Sequence, residues 1–301
     1  MGFINDIRKN KYLYLLALPA MIYLIIFAYL PMFGHLIAFE DFNVKKGLFG
    51  SPFVGLKHFK FFFLGDYWMK VTWNTIYLNV LQIFFGTVIT VASAIFLNEI
   101  RSVYYKKISQ SLMFLPYFIS WVVVAYMVQA MLSTKEGLIN NLLVSLGMER
   151  VAWYSNPNYW PAIITFIHIW KSMGRGAIIY LAVITGLGNE YYESARIDGA
   201  NRFQQIWHIT LPLLKPTIVM MTLLSIGNIF YGDFGLIYPI VGDNGVLFPT
   251  TDVIDTYAYR GLRQNFAGSA AIVLWQSLMG LICIVGANWV TKRIDKDLSL
   301  W

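Results

Sequence analysis

Apolar residues run through this chain in six long stretches, near 12–34, 72–99, 109–132, 159–186, 216–238 and 267–290, with shorter polar segments between them. Each stretch is long enough to cross about 30 Å of hydrocarbon as a helix. Hydrocarbon offers no partner to open backbone groups, so the pattern predicts six helical spans in one transmembrane domain, residues 1–301. Pro116 and the pair Gly174 and Gly176 fall inside spans and predict kinks or close helix contacts. The first run is too long for the apolar core of a signal peptide, holds Pro19 and lacks a small-residue cleavage site, so it reads as an uncleaved span. Segment 55–70 mixes aromatics with lysines and predicts an interfacial helix leading into the second span. No internal repeat is evident.

The longest strongly polar passage between two apolar runs is Glu193 to Pro216. Asn189 predicts an N-cap, with Glu190 and Glu193 placing negative charge at the positive end of a short helix. Gly199 allows a change of direction that a residue with a Cβ resists. Ala200, Phe203, Ile206 and Trp207 recur at helical spacing and give a second short helix one apolar stripe. Leu211-Pro212 and Pro216 are expected to stop that helix and restart the chain. The product is two short helices bent at a glycine, with an aromatic face turned away from the membrane. From the residues alone this is either a connector lying on the lipid surface or a docking element for a partner protein.

Glu193-Ser194-Ala195, then Gly199, then Ile209-x-Leu211-Pro212, resembles the "EAA loop" of importer-type ABC transporter permeases, with Ser in the second place of the triplet. Tyr29 to Gly34, Gly55 to Phe59, Leu115 to Trp121 and Thr251 to Tyr257 resemble the oligosaccharide-importing subgroup, so the likeness runs nearly end to end. The resemblance implies an all-α membrane protein of type I ABC importer permease fold, with six spans and a bent cytoplasmic coupling helix. It implies a second homologous permease, a cytoplasmic ATPase dimer that binds the ATP and Mg, an extracellular solute-binding protein, and alternating access. No cofactor is implied for this chain itself. In that frame Glu193, Ser194, Ala195, Asp198, Gly199 and Ala200 shape the docking turn, Phe203, Ile206 and Trp207 supply contact area, and Leu211 and Pro212 close the motif.

Composition agrees with a membrane chain. Of 301 residues 57% are apolar and only 13% charged, against about 25% charge in soluble chains, and the mean hydropathy is +0.57. The net charge of +7 suggests nucleic acid at first sight, but no basic cluster is interleaved with aromatics, and basic flanks on spans account for it. Cys283 stands alone in an apolar run, and the four histidines lack metal-ligand spacing. Positive residues at both termini, in 100–108 and in 187–216 number twelve, against nine on the other side. Both the bias and the resemblance put the two termini and the 187–216 loop in the cytoplasm of a multi-pass plasma-membrane protein.

Candidate chemistry is sparse. Gly50 to Lys57 lacks the Gly-Lys-Ser/Thr of a phosphate loop and holds a Pro, so no ATP hydrolysis is expected of this chain. Asp252 and Asp255 open a polar turn, where capping is the expected role. Lys171 and Arg175 stand one turn apart near the middle of the fourth span. Each is costly there, at about 2.5–3.5 kcal/mol on an insertion scale, so they must face water or counter-charge. Asn228 and Tyr231 on the fifth span, Gln276 on the sixth, and Asn79 with Gln82 on the second add polar faces. Singly, each reads as an interhelical hydrogen bond; together they outline a pathway. Two roles stay open for the cations: binding a uronate-containing acidic oligosaccharide, or fixed ion pairs with Asp233 or an acid of the partner permease. A membrane enzyme acting on lipid-linked sugars would need a catalytic acid or base and usually a metal-binding acidic motif at the interface, and no such motif stands out in the chain. An ion-coupled secondary carrier would favour internal repeats and intramembrane acids, whereas the mid-span charges here are basic.

Overall fold

The computed structural model describes residue 6, residues 9–295 and residue 299, and apart from one bridge pairing Glu40 with Phe53 its regular structure is helical. α1 (Lys11–Leu24) passes through a π-turn at Ile25–Tyr29 and on to a 3-10 stretch, Phe33–Phe39. α2 (Lys57–Phe63) precedes α3 (Tyr67–Glu99). α4 (Val103–Phe114) ends in a 3-10 turn, Leu115–Phe118, after which α5 (Trp121–Leu132) starts afresh. α6 (Leu138–Ser145) lies in the connection to α7 (Trp160–Gly186). α8 (Asn189–Ile197) and α9 (Arg202–Gln205) follow, and a π-turn at Ile206–Thr210 joins α9 to α10 (Leu211–Ile226). α11 (Phe234–Val241), α12 (Phe248–Thr251), α13 (Ile254–Gly261) and α14 (Phe266–Ile294) complete the order.

Among the described residues four helical stretches are long and apolar enough to cross a membrane: Lys11–Phe39, Tyr67–Glu99, Arg202–Ile226 and Phe266–Arg293. Val103–Phe118 with Trp121–Leu132 makes a fifth if counted together, bent by 96°. α7, at 27 residues, is also long enough to cross, at about 1.5 Å per residue. Its hydropathy is diluted by His168, Lys171 and Arg175.

Four sequence expectations are corrected. The third span is not one helix over 109–132: Pro116 cannot donate to the helix ladder, and the chain turns through 115–120 before Ser120 caps α5 by accepting the Val123 N–H. The fifth span is not one helix over 216–238: α10 stops at Ile226, and residues 227–233 form turns ahead of α11. Conversely, Pro212 and Pro216 do not stop a helix, because Arg202–Ile226 is continuous. Leu211 N–H reaches back five residues to the Ile206 carbonyl. That wider turn relieves the clash a proline ring at 212 has with the carbonyl four residues earlier. The same device recurs at Leu30-Pro31, where Leu30 N–H bonds to Ile25. The interfacial helix expected over 55–70 is confined to the seven residues of α2.

The chain forms two compact units, one from residues up to Gly65 with Ala258–Trp275, the other from Asp66–Tyr257 with the chain from Gln276 on. In the first, Phe39 meets Phe53 and Phe59, and Trp275 meets Phe62 and Phe63. In the second, α3 packs along α7. Leu78, Val124, Trp160, Ile164 and Leu236 form one apolar core, and Val91, Ala94, Ala177, Leu181 and Leu214 form another. Gly174 and Gly176 serve close contact, as expected. A Cβ on Gly174 would run into the Met113 carbonyl, and one on Gly176 would stand 2.6 Å from Thr90 Cγ2. Gly174→Val is therefore expected to lower the yield and melting temperature of the detergent-solubilised protein. Wild-type values in that variant would refute the contact.

Candidate functional site

α3, α7 and α10 line a cavity of about 470 Å³. Its wall carries Gln82 and Thr90 from α3, Ser172 and Arg175 from α7, Ser225 from α10, and Asn228 from the turn beyond it. The Arg175 guanidinium lies 5.2 Å from the centre of the Tyr117 ring, a cation–π seat. Among the described residues no carboxylate stands within ion-pair distance of it.

Of the two mid-span cations only Arg175 reaches this cavity. Lys171 is buried, 8% exposed, and turns the other way. Its Nζ donates to the carbonyls of Pro116, Tyr117 and Ile119 at 3.2, 2.8 and 2.5 Å, and sits 4.9 Å over the Trp121 ring. An ammonium has three donors, and here the broken stretch between α4 and α5 supplies three acceptors. Of the alternatives left open, an ion pair with Asp233 is not formed: Asp233 caps α11 through the Leu236 N–H, 3.1 Å, and lies 4.0 Å from His168 Nδ1.

The second break, 227–233, is held by side chains in the same way. Asn79 Nδ2 donates to the carbonyls of Ile229 and Tyr231 at 3.2 and 2.9 Å. Gln276 Nε2 donates to the Phe230 carbonyl at 2.7 Å and to Asp255 Oδ2 at 2.8 Å. Asp255 Oδ2 also accepts the Gly232 N–H at 2.6 Å. Burial pushes the Asp255 carboxyl above the usual range, and those hydrogen bonds oppose the shift. Asp255 thus ties the start of its helix to the 227–233 break and to Gln276. Asp252 does hold the start of α13, accepting the Thr256 hydroxyl at 2.7 Å. Tyr231 donates to Ser277 Oγ at 3.0 Å. Of the predicted pathway residues, then, Arg175 and Asn228 meet on one cavity, while Lys171, Tyr231 and Gln276 hold backbone or neighbouring helices. Ser172 and Ser225 escaped sequence reading; the signal was their position three residues before Arg175 and Asn228.

The bent loop forms much as its residues dictate. Gly188, in extended conformation, holds the cap position expected of Asn189, which is instead the first helical residue. Ala200 N–H bonds to the Ala195 carbonyl at 2.8 Å and Gly199 N–H to that of Arg196 at 3.1 Å, with Gly199 at φ +80°. This is a Schellman end. Nothing lies within 4 Å of a Cβ built on Gly199, so conformation rather than space calls for glycine. Asn201 and Gln204 form a capping box that starts α9. Phe203 and Trp207, 72% and 60% exposed, stack at 6.3 Å between ring centres, and Ile197 is 87% exposed beside the bend in sequence. Glu193 is exposed, and Ser194 Oγ bonds back to the Glu190 carbonyl. Asp198 N–H bonds to the Ser194 carbonyl, while Ile206 and Leu211 are half-buried and Pro212 exposed.

Comparison with known proteins places this geometry. The family described as "Binding-protein-dependent transport system inner membrane component" matches residues 82–299. Protein LplB of Bacillus subtilis is 36% identical over 99% of this chain and 93% of its own length. The polygalacturonan/rhamnogalacturonan transport system permease YteP of the same organism is 36% identical over 96% and 90%. A bacterial ABC transporter involved in import of the acidic polysaccharide alginate superposes with a TM-score of 0.87 at 33% identity, covering 97% of this chain and 98% of that one.

Removing Lys171 takes the ammonium from the Tyr117 and Ile119 carbonyls, while that of Pro116 keeps the Ile119 N–H at 3.2 Å, and a buried acceptor left unsatisfied costs about 1–3 kcal/mol. Lys171→Met is therefore expected to lower the melting temperature of the solubilised protein by several degrees, while Arg175→Met leaves it near wild type. Equal melting temperatures for both variants would show that the carbonyls do not depend on Lys171.

Proposed function

Because this chain belongs to the inner membrane components of binding-protein-dependent transport systems, we propose that it forms half of an ATP-driven import pathway for acidic oligosaccharides. It is a permease subunit of an ABC-type sugar importer, not an enzyme. The observation that carries the acidic class is Arg175, a cation with no carboxylate partner among the described residues, on a cavity whose wall mixes hydroxyls and amides with apolar side chains such as Ile83, Ile179 and Met221. A guanidinium can hold a carboxylate bidentately, and Gln82, Ser172 and Asn228 suit sugar hydroxyls. Relatives described for alginate and for polygalacturonan and rhamnogalacturonan support the same class.

In this reading the partners are a second permease, a cytoplasmic ATPase pair that holds the ATP and Mg, and an external solute-binding protein. A solved relative is an alginate transporter in complex with an alginate pentasaccharide-bound periplasmic protein, which supports the last of these. The bent loop docks on the ATPase through Ile197, Phe203 and Trp207, which offer apolar anchor area. The continuous helix Arg202–Ile226 links that surface to Asn228 at the cavity. ATP-driven movement of the loop is thereby carried to the pathway, giving alternating access. Both termini and the loop lie on the cytoplasmic face of the plasma membrane.

Three experiments test these statements. Arg175→Met in the full complex in proteoliposomes is expected to cut uptake of uronate oligosaccharides about tenfold or more while a matched neutral oligosaccharide is spared, since one charge-assisted pair is lost. An unchanged preference for the acidic sugar would end the proposal.

Gly199→Val forces a β-branched residue to φ +80°, at about 1–2 kcal/mol or more. It is expected to insert normally yet separate ATP hydrolysis from uptake. In a Cys283→Ser background, Gln204→Cys should resist impermeant thiol reagents in intact cells. Normal coupling in the first variant, or labelling in the second, would overturn the loop's assignment.

A further inference from the structure

A second cavity, of about 360 Å³, lies where the ends of α3 and α7 meet the bent loop. Three arginines line it: Arg101 just past α3, Arg196 in the last turn of α8 and Arg202 at the start of α9. Glu99 is the one carboxylate on its wall among the described residues, and it stands 3.8 Å from Arg202. Arg101 and Arg196 have no carboxylate within ion-pair distance among the described residues. An excess of positive charge in one concavity is self-repelling, and an anion between the guanidinium groups relieves it.

The wall also holds groups suited to more than bare charge. Gln205, 3% exposed, gives its Nε2 to the Ala200 carbonyl at 2.9 Å, while its Oε1 has no hydrogen-bond partner among the described residues. Tyr192 and Thr210 add hydroxyls 3.0 Å apart, Asn98 and Thr185 add further polar groups, and Ile95, Ile184 and Leu187 are apolar.

We infer that this cavity binds a phosphate ester that carries hydroxyl groups. Arg101 and Arg196 take the phosphate as paired donors, and a hydroxyl of the ligand bonds to the Tyr192 and Thr210 hydroxyls on the same wall. Two sources share this chemistry: the glycerophosphate headgroup of an anionic lipid, for which basic pockets at helix ends are suited, and a free sugar phosphate. Either ligand would tie the loop to the ends of the spans. The inference goes beyond the transport reading, and its test reads binding without transport.

The test uses the assembled complex, stripped of lipid in detergent, in native mass spectrometry. The probes are phosphatidylglycerol against phosphatidylcholine of the same chains, and glucose 6-phosphate against glucose. Wild type is expected to retain one charged probe over its neutral counterpart. Arg101→Gln with Arg196→Gln is expected to weaken that retention about tenfold or more, since both guanidinium donors to the phosphate are then absent. Retention of the lipid assigns the headgroup as ligand; retention of glucose 6-phosphate assigns a free ester. Should the double variant fail to assemble, Arg101→Gln alone, on the connector after α3, is expected to show a smaller loss of the same sign. Charged probes held no better than neutral ones, or held equally by wild type and variant, would overturn the inference.

Discussion

Backbone that leaves the helix inside an apolar span must find its hydrogen bonds within the protein, because lipid provides none. This chain breaks two such runs, at 115–120 and at 227–233, and both breaks are satisfied by side chains from other helices. Lys171 on α7 covers three carbonyls of the first. Asn79 on α3 and Gln276 on α14 cover carbonyls of the second, and Asp255 takes its free N–H. Each bond therefore does two things: it satisfies a peptide group and it fixes which helix lies beside which.

That constraint also shapes the cavity. Lys171 is committed to backbone, so its charge is neutralised by carbonyl dipoles and by the Trp121 ring. Arg175, one turn on, is left with the Tyr117 ring on one side and polar groups of α3 and α10 on the other. Two like charges at helical spacing thus do different work, because the carbonyls of the break bond to one, while the other meets only the Tyr117 ring there. Gly174 and Gly176 permit this, since side chains there would push α7 away from α4 and α3.

The loop obeys more local rules. A Schellman end at Gly199 and a capping box at Asn201 and Gln204 settle its bend with hydrogen bonds spanning at most five residues. Its second helix then continues unbroken to Ile226, so the exposed Phe203 and Trp207 and the cavity residue Ser225 lie at two ends of one rod. A π-turn ahead of Pro212 is what keeps the rod whole.

The sequence by itself determined what depends on composition and short-range geometry. The apolar runs mark the membrane segments, with α7 at Trp160–Gly186 and α14 at Phe266–Ile294 close to their expected bounds. Gly199, Phe203 and Trp207 mark the bent, aromatic-faced loop. The Glu193 to Pro212 motif marks the family that residues 82–299 match. Local rules misjudged the prolines: Pro212 and Pro216 were expected to end a helix that a widened turn carries past them, and Pro116 to kink a span that it helps to break. Tertiary structure alone decided the roles of the polar residues. Asn79, Lys171, Asn228, Tyr231 and Gln276 look alike along the chain, each a polar group in an apolar run. Which of them meets a cavity and which meets a stranded carbonyl depends on where another helix gives up its own hydrogen bonds, and that is a matter of contacts between residues as far apart as Asn79 and Tyr231.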